Sequence, residues 1–212
     1  GEFSDTLYIP ENSQYEFRYE MGRTYPYLGM GNQVNMQVKD AKEFLGTINF
    51  EGNYSEFNNF IAFIDCEDFN FRVDQKITYN MNEAAFEVNI ADFKKRMESK
   101  LDAVSKIPEG YKAKQLRAIE IKRIRLKSYY ETIYARLTDN KDFKASDTFK
   151  KEVEDFDFKN EEDYKISADY REMVFFDIMN TSSSLARKDS IPYREVWKKV
   201  LSEINSEVIR NG

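Results

Sequence analysis

The chain of 212 residues contains no histidine and a single cysteine, Cys66. These absences exclude nucleophiles that need an imidazole base, dithiol redox centres and an internal disulfide. The formal net charge of −6 at pH 7 argues against general affinity for nucleic acid, which depends on neutralising phosphates with lysine and arginine.

The first 52 residues predict short antiparallel strands. Apolar and polar side chains alternate with a period of two, which is typical of half-buried strands. The predicted strands cover residues 6–9, 14–19, 33–38 and 47–50, and turns are expected at 11–13, 21–23, 29–32 and 40–44. The pair Gly29-x-Gly31 lacks the third glycine, the Lys-Ser/Thr tail and the following helix of a phosphate-binding loop, so we interpret it as a hairpin turn.

After Ser55 the apolar residues recur every three or four positions, which predicts amphipathic helices. The first of these would begin with Ser55 as its N-cap, and the last would follow Pro192. The apolar stripe of the first helix comprises Phe57, Phe60, Ile61 and Ile64. Further helices are predicted at 90–107, 111–137, 164–179 and 193–209. The helix at 90–107 has the apolar stripe Ile90, Phe93, Met97, Leu101 and Val104, and the last helix has a buried face of Val196, Trp197, Val200, Leu201 and Ile204. We therefore predict an α+β fold, with an antiparallel β module in residues 1–54 and an α-helical bundle domain in residues 55–212.

The predicted helix 111–137 is strongly basic and contains one acid, Glu120, within its basic part. Its cations are Lys112, Lys114, Arg117, Lys122, Arg123, Arg125 and Lys127. One interpretation is a patch for acidic membrane headgroups or nucleic acid. The favoured one is a solvated or internally paired face, because residues 152–163 supply seven acids that could lie against it.

Few other residues suggest chemistry. Acidic neighbours of Cys66 would raise the pKa of its thiol and make it unreactive, so a small core residue is the favoured interpretation. Asp65, Glu67 and Asp68 could act as a glycosidase-like acid pair, but their spacing does not stand out among 38 acids. We predict no catalytic residue, no metal site and no cofactor, since imidazole and paired thiolate ligands are missing and no loop matches a calcium-binding pattern.

The aromatic share is high, with 17 Phe and 14 Tyr. On the β module, Tyr15, Tyr19, Tyr25 and Tyr27 are candidate partner-binding residues, because exposed tyrosines can stack on sugars or bind peptides. Their alternation with polar residues marks them first as core. The two interpretations differ in whether these side chains form a contiguous exposed patch or lie buried beneath helices.

Residues 40–62 carry a resemblance to a known family. They resemble the region that precedes the thioredoxin domain in TlpA-like thiol–disulfide oxidoreductases of Bacteroidetes. The matching positions are Asp40, Phe44, Ile48, Phe50, Gly52, Asn58 or Asn59, and Phe60, with Gly31-Asn32 similar to the family's preceding turn. The basic, tyrosine-rich helix, Phe156-Asp157-Phe158 and a helix near Tyr170 resemble the family's middle region, so the similarity spans most of the chain.

The resemblance implies a non-catalytic accessory region of a periplasmic or outer-membrane-associated lipoprotein. In the family a Trp-Cys-x-x-Cys centre follows in a C-terminal thioredoxin-like domain, and these 212 residues contain no such motif. The expected role is to position that domain or to help bind its partner, with no nucleic acid and no transmembrane segment involved. Thr6 and Ser190 sit in triplets that resemble the O-glycosylation acceptors of Bacteroides, although no modification is the favoured expectation.

Two alternatives come from other classes. The first is a self-contained periplasmic or surface module that binds a protein or glycan ligand through the aromatic β face. The second, weaker alternative is a glycosidase-like enzyme with two acids in a deep cleft.

Overall fold

The computed structural model describes residues 5–19, 22–40, 43–204 and 206–211. Its contacts divide the chain into two compact units, residues 1–74 with 95–112, and residues 75–94 with 113–212. The chain therefore enters the second unit, returns to the first and leaves it again. Within the described residues, no helix combines the length and apolar character needed to cross a membrane.

The strands are short and all their pairings are antiparallel. β1 (Ser13–Gln14) pairs with β4 (Tyr27–Leu28), β2 (Phe17–Tyr19) with β3 (Gly22–Thr24), and β5 (Val34–Val38) with β6 (Ile48–Gly52). With the helices that follow, these strands confirm the predicted α+β class.

β1 to β4 share one hairpin register, since Ser13 lies opposite Leu28 and Tyr19 lies opposite Gly22. The ladder is interrupted at Tyr15, whose N–H donates to the carbonyl of Pro26 over 3.0 Å. Proline has no N–H to donate in return, so the hairpin consists of two short ladders, one on each side of this position. The predicted strand 14–19 is therefore split, and the predicted strand 6–9 is wrong, because residues 5–9 form no strand.

The turn predicted at 29–32 is confirmed, as the Asn32 N–H donates to the Gly29 carbonyl over 3.0 Å and Gly31 has φ of +72°. It joins β4 to β5, which do not pair with each other, so it is not a hairpin turn. A turn was also predicted at 21–23. This prediction is wrong for Gly22 and Arg23, which belong to β3, and Met21 lies outside the described residues. Ala41 and Lys42 of the turn at 40–44 also lie outside them.

Helices occupy most of the remaining chain. They are α1 (Phe44–Thr47), α2 (Ser55–Val73), α3 (Gln75–Thr78), α4 (Glu83–Asp102), α5 (Tyr111–Ser128), α6 (Tyr130–Leu137), α7 (Asp147–Glu154), α8 (Glu161–Ile166), α9 (Ala168–Asp189), α10 (Tyr193–Ser202) and α11 (Glu207–Asn211).

Several predicted helix limits need correction. The N-cap of α2 is Tyr54, in a left-handed conformation without a side-chain cap, and Ser55 is the first helical residue. The helix predicted at 90–107 begins at Glu83 and ends at Asp102. The other three are interrupted: 111–137 at Tyr129, 164–179 at Ser167, and 193–209 between residues 202 and 207.

In the first unit, α2 packs against the strands through its predicted stripe, in which Phe57, Phe60, Ile61 and Ile64 are all buried. Two adjacent asparagines attach this helix to the sheet edges. The Asn58 carboxamide accepts from the Tyr27 N–H over 2.7 Å and donates to the Tyr27 carbonyl over 3.2 Å. Asn59 makes the same pair of bonds to Phe50, at 2.7 and 2.9 Å.

The second unit is built around α5, whose residues 121–127 are all buried. On one side, Ile121 and Ile124 join a core cluster with residues of α8, α9 and α11. Elsewhere in the unit, Phe86, Tyr130 and Phe149 form an aromatic core, with centroids of the Phe86–Tyr130 and Tyr130–Phe149 pairs 4.7 and 4.8 Å apart. Grouping by contacts places α2 with the strands, whereas the predicted boundary at residue 54 follows only the change from strands to helices.

Candidate functional site

Tyr27, one of the four candidate partner-binding tyrosines, belongs to the core of the first unit. Its side chain is 5% exposed, and its ring packs edge to face against Tyr54 and Tyr111, with centroids 5.0 Å away in both pairs. Burial, with smaller contributions from those two tyrosines, raises the pKa of its hydroxyl. Tyr27 is therefore part of the core, which is the interpretation that its alternation with polar residues favoured.

Two of the other three candidates are partly covered. Tyr15 and Tyr25 are half-buried, and the Tyr15 hydroxyl donates to the Glu11 carbonyl over 2.7 Å. The backbone of Tyr19 lies in β2, while its side chain lies outside the described part of the chain. Of the candidates whose side chains are described, Tyr15 and Tyr25 are therefore more accessible to a partner than Tyr27.

Most cations of α5 form ion pairs within the second unit, as the favoured interpretation predicts. They are Arg117, Lys122, Arg123, Arg125 and Lys127. Arg117 binds Asp163 with an Nη2–Oδ2 distance of 2.5 Å, and Arg123 binds both Glu120 and Glu152. Glu152 and Asp163 come from the acidic segment that the sequence singled out. Further partners come from helices it did not single out, namely Glu87 of α4 and Asp169 and Glu172 of α9.

Arg125 is the most buried cation of this network, with 1% of its side chain exposed. Its guanidinium lies 3.2 Å from Asp169 through Nε and 3.0 Å from Glu172 through Nη1. The Tyr129 hydroxyl donates to the other Glu172 oxygen over 2.7 Å. Burial and this carboxylate both raise the pKa of Tyr129, so the phenol stays protonated and holds Glu172 in place.

Glu152 joins α7 to α5 through two cations. Hydrogen bonding to Arg123 is the largest influence on the pKa of Glu152 and lowers it. Burial raises this pKa, but hydrogen bonding to Lys127 lowers it further, and the result is a fall from 4.5 to about 2. Lys127 Nζ lies 3.0 Å from Glu152 and also sits over the Phe149 ring, 4.7 Å from its centroid. These contacts hold charged groups in fixed ion pairs, an arrangement that stabilises helix packing and leaves their donors occupied.

Cys66 and its acidic neighbours are also engaged locally. Burial and then Glu67 raise the pKa of the half-buried Cys66 thiol, which keeps it in the unreactive protonated form. Asp68 is buried and accepts from Arg72 Nε over 3.0 Å, and Glu67 pairs with Arg96 at 3.2 Å. No group of three or more metal-ligating side chains is found among the described residues.

The second unit carries an exposed aromatic surface that the sequence did not single out. Four rings of α9 and α10 follow one another as an aromatic row: Phe176, Phe175, Trp197 and Tyr193, with successive centroids 5.8, 6.1 and 5.8 Å apart. Phe175 is 50% exposed, Phe176 41% and Tyr193 42%. The period of the apolar residues predicted a buried face for the last helix, which holds for Val196, while Trp197 is only half-buried.

The aromatic row is flanked by exposed cations of α10. Arg194 and Lys198 are one helical turn apart on α10, and each follows a ring of the row, Tyr193 or Trp197, by one position in the sequence. Hydrophobic rings next to positive charge are typical of protein-binding surfaces, in which Trp, Tyr and Arg are enriched. This row and its two flanking cations are the best candidate for a functional site.

Comparison of the chain with protein-family models, with curated proteins and with solved structures finds no match. The function therefore has to be argued from the residues of this chain.

Proposed function

We propose that the chain is a non-catalytic accessory region of a periplasmic thioredoxin-like thiol–disulfide oxidoreductase. It would position the redox domain of the parent protein or help to bind that domain's partner. The parent protein would carry the Trp-Cys-x-x-Cys centre, and the chain would supply a folded scaffold and a binding surface.

The observation that carries this proposal is the place of the resembling residues in the fold. Residues 40–62 contain α1, β6 and the start of α2, where the Asn59 carboxamide bonds both the N–H and the carbonyl of Phe50 in β6. Phe50 and Phe60 are buried in the same unit, and Gly52 has φ of +91°, which favours glycine. The resemblance therefore rests on residues with definite structural roles, as expected of a shared scaffold.

The pairing of the α5 cations and the protonation of the Cys66 thiol give further support. The large basic helix is paired internally, and the thiol of Cys66 is held protonated. Such a scaffold suits support and binding better than group transfer. The alternative of a self-contained glycan- or peptide-binding module on the β face is weakened because Tyr27 is buried.

The reading frame downstream of residue 212 provides the first test. We expect it to encode a Trp-Cys-x-x-Cys motif at the start of a thioredoxin-like domain. The purified chain itself should not reduce insulin disulfides, while the longer protein should. A downstream frame without a dithiol motif, or insulin reduction by the chain alone, would overturn the proposal.

A second experiment tests the accessory role. The longer protein is compared with its isolated redox domain in the reduction of insulin and of a folded periplasmic disulfide protein. We expect similar rates with insulin and a faster rate for the longer protein with the folded client, because binding outside the reacting centre raises kcat/KM. Equal rates with both clients would contradict an accessory role.

A further inference from the structure

The segment from the end of α9 through α10 has an excess of positive charge in an acidic protein. Residues 187–199 contain five cations and two acids, whereas the whole chain has a net charge of −6. Among the described residues, no carboxylate forms an ion pair with Lys188, Arg194, Lys198 or Lys199, and all four are exposed. This contrasts with α5, whose buried cations are paired.

Two rings of the aromatic row, Tyr193 and Trp197, belong to the same helix as Arg194, Lys198 and Lys199. Phe175 and Tyr193 are exposed by 50% and 42%, although each contacts the ring of Trp197. Trp197 itself packs against the core cluster of the second unit, so the row rests on a fixed base. Rings held in this way lose little conformational entropy when they are covered by a partner.

We propose that the aromatic row, with Arg194 and Lys198, binds an acidic polypeptide segment of a partner protein in which carboxylates are interspersed with apolar side chains. The apolar side chains cover the rings, and the carboxylates pair with the guanidinium and ammonium groups. Charge complementarity selects the segment and increases its rate of association, while burial of the rings supplies most of the affinity.

The position of the apolar residues favours a polypeptide over a lipid surface. A helix that lies in a membrane interface presents a whole apolar face to the acyl chains. In α10 that face is already used, since Val196 is buried and Val200 and Leu201 pack against the core cluster. Only the partly exposed rings remain available for contact with a partner. They suit a partner segment that supplies its own apolar side chains.

This inference rests on the proposed function in one respect: the proposed function says that the partner is either part of the parent protein or one of its clients. Binding is measured on the chain alone, so its failure would leave the redox tests of the proposed function intact. Conversely, a missing dithiol motif downstream would not affect the binding result.

Trp197 is the only tryptophan of the chain and lies in the proposed site, so its fluorescence reports occupancy. The purified chain is titrated with a synthetic peptide that alternates Glu or Asp with Leu and Phe. Controls are a peptide with Lys in place of the acids and one with Ser in place of the apolar residues. We expect a saturable change with the acidic–apolar peptide only, at a micromolar Kd that weakens as salt is added.

The variant Arg194→Glu/Lys198→Glu keeps Trp197 as the reporter and should raise the Kd by about tenfold or more. The matched control is Lys141→Glu/Lys151→Glu, which reverses two exposed lysines elsewhere in the second unit and should bind like the unaltered chain. Circular dichroism melting of both variants checks that the fold is retained.

Three outcomes would overturn the inference. The first is no saturable change at about 1 mM peptide, a concentration at which even weak specific complexes form. The second is an equal response to the lysine peptide or an equal loss in both variants. The third is a response to phosphatidylglycerol vesicles, but not to the peptide, which would mark the surface as a membrane contact.

Discussion

Asn58 and Asn59 show how single side chains can replace a missing neighbour strand. β4 and β6 each have one paired edge, and on the other edge a carboxamide bonds both the N–H and the carbonyl of one residue. A carboxamide has the donor and acceptor that a peptide group needs, so it satisfies a buried edge that would otherwise be costly. Asn58 is fully buried.

Replacement of Asn58 by alanine should lower the free energy of unfolding by about 2–4 kcal/mol, because the N–H and carbonyl of Tyr27 would lose their buried partners. Urea unfolding followed by circular dichroism measures the change. The control is Asn80→Ala at an exposed position, where we expect no significant difference. A loss in N58A no larger than in the control would show that water replaces the carboxamide.

Glu152 gives the second unit a dependence on acid pH. Its pKa is 4.5 when unfolded and about 2 when folded, chiefly because of hydrogen bonding to Arg123. Between these values the unfolded chain binds the proton and the folded chain does not. Stability is therefore present above pH 4.5 and is lost as pH falls towards 2.

We expect the urea midpoint of the second unit's transition to fall over this pH range, and Glu152→Gln to have a flatter dependence. The effect should weaken in high salt, since the side chain of Glu152 is 41% exposed. Glu154→Gln on the same helix serves as the control and should keep the original slope. Identical slopes in all three proteins would contradict the assignment to Glu152.

At the scale of the element, α5 is a helix that buries cations on several sides. A helix surrounded by other helices normally presents apolar residues all round. Here Arg123, Arg125 and Lys127 are buried because carboxylates from α4, α7 and α9 meet them. Each buried cation of α5 thus has a carboxylate partner on a neighbouring helix, without which its burial would be costly.

Arg125→Met should destabilise the protein by about 3 kcal/mol, because Asp169 and Glu172 would lose a buried partner and repel each other. Thermal or urea unfolding measures the loss. Arg18→Met removes a cation from an exposed pair with Glu16 and should have no measurable effect. Similar stabilities of R125M and R18M would show that the pairing of Arg125 contributes little.

At the scale of the whole molecule, the two units are not consecutive stretches of sequence. The first unit contains α2 and the end of α4, so residues 1–54 hold the strands without the helix that covers them. Phe57 and Phe60, which belong to the core beneath the strands, lie on α2.

A fragment of residues 1–54 should therefore not fold, whereas residues 1–112 should retain the first unit because they contain all its segments. Cooperative urea unfolding of the longer fragment and its absence in the shorter one is the expected result. A cooperative transition in residues 1–54 would instead support the domain boundary suggested by the sequence.

Local sequence patterns predicted the existence of the helices and strands better than the residues at which they begin and end. Of the predicted stripe Ile90, Phe93, Met97, Leu101 and Val104, the first four residues are fully buried, whereas Val104 is half-buried and lies beyond the end of α4. The interruption at Tyr129 was not predicted, since no Gly or Pro marks it. There the Ser128 hydroxyl donates to the Arg125 carbonyl over 2.8 Å, and such a local bond competes with the helix ladder.

The candidate site was missed because its residues follow the same period as core residues. Trp197 lies in the predicted buried stripe of the last helix, and only the packing of α10 against α9 leaves its neighbours Tyr193 and Phe175 partly exposed. For the four tyrosines of the β module, the sequence likewise left open whether each side chain is core or exposed. Tyr27 is buried because it packs against Tyr54 and Tyr111.

The sequence by itself determined the α+β class, the apolar stripes and the kinds of catalysis that a chain without histidine and with one cysteine excludes. These follow from composition and from the periods of strand and helix, which are local properties. Tertiary structure alone decided which tyrosine is core, which carboxylate meets each cation of α5, and which aromatic rings stay exposed. Those outcomes depend on contacts between residues distant in sequence, and local periodicity carries no information about which distant partner a side chain meets.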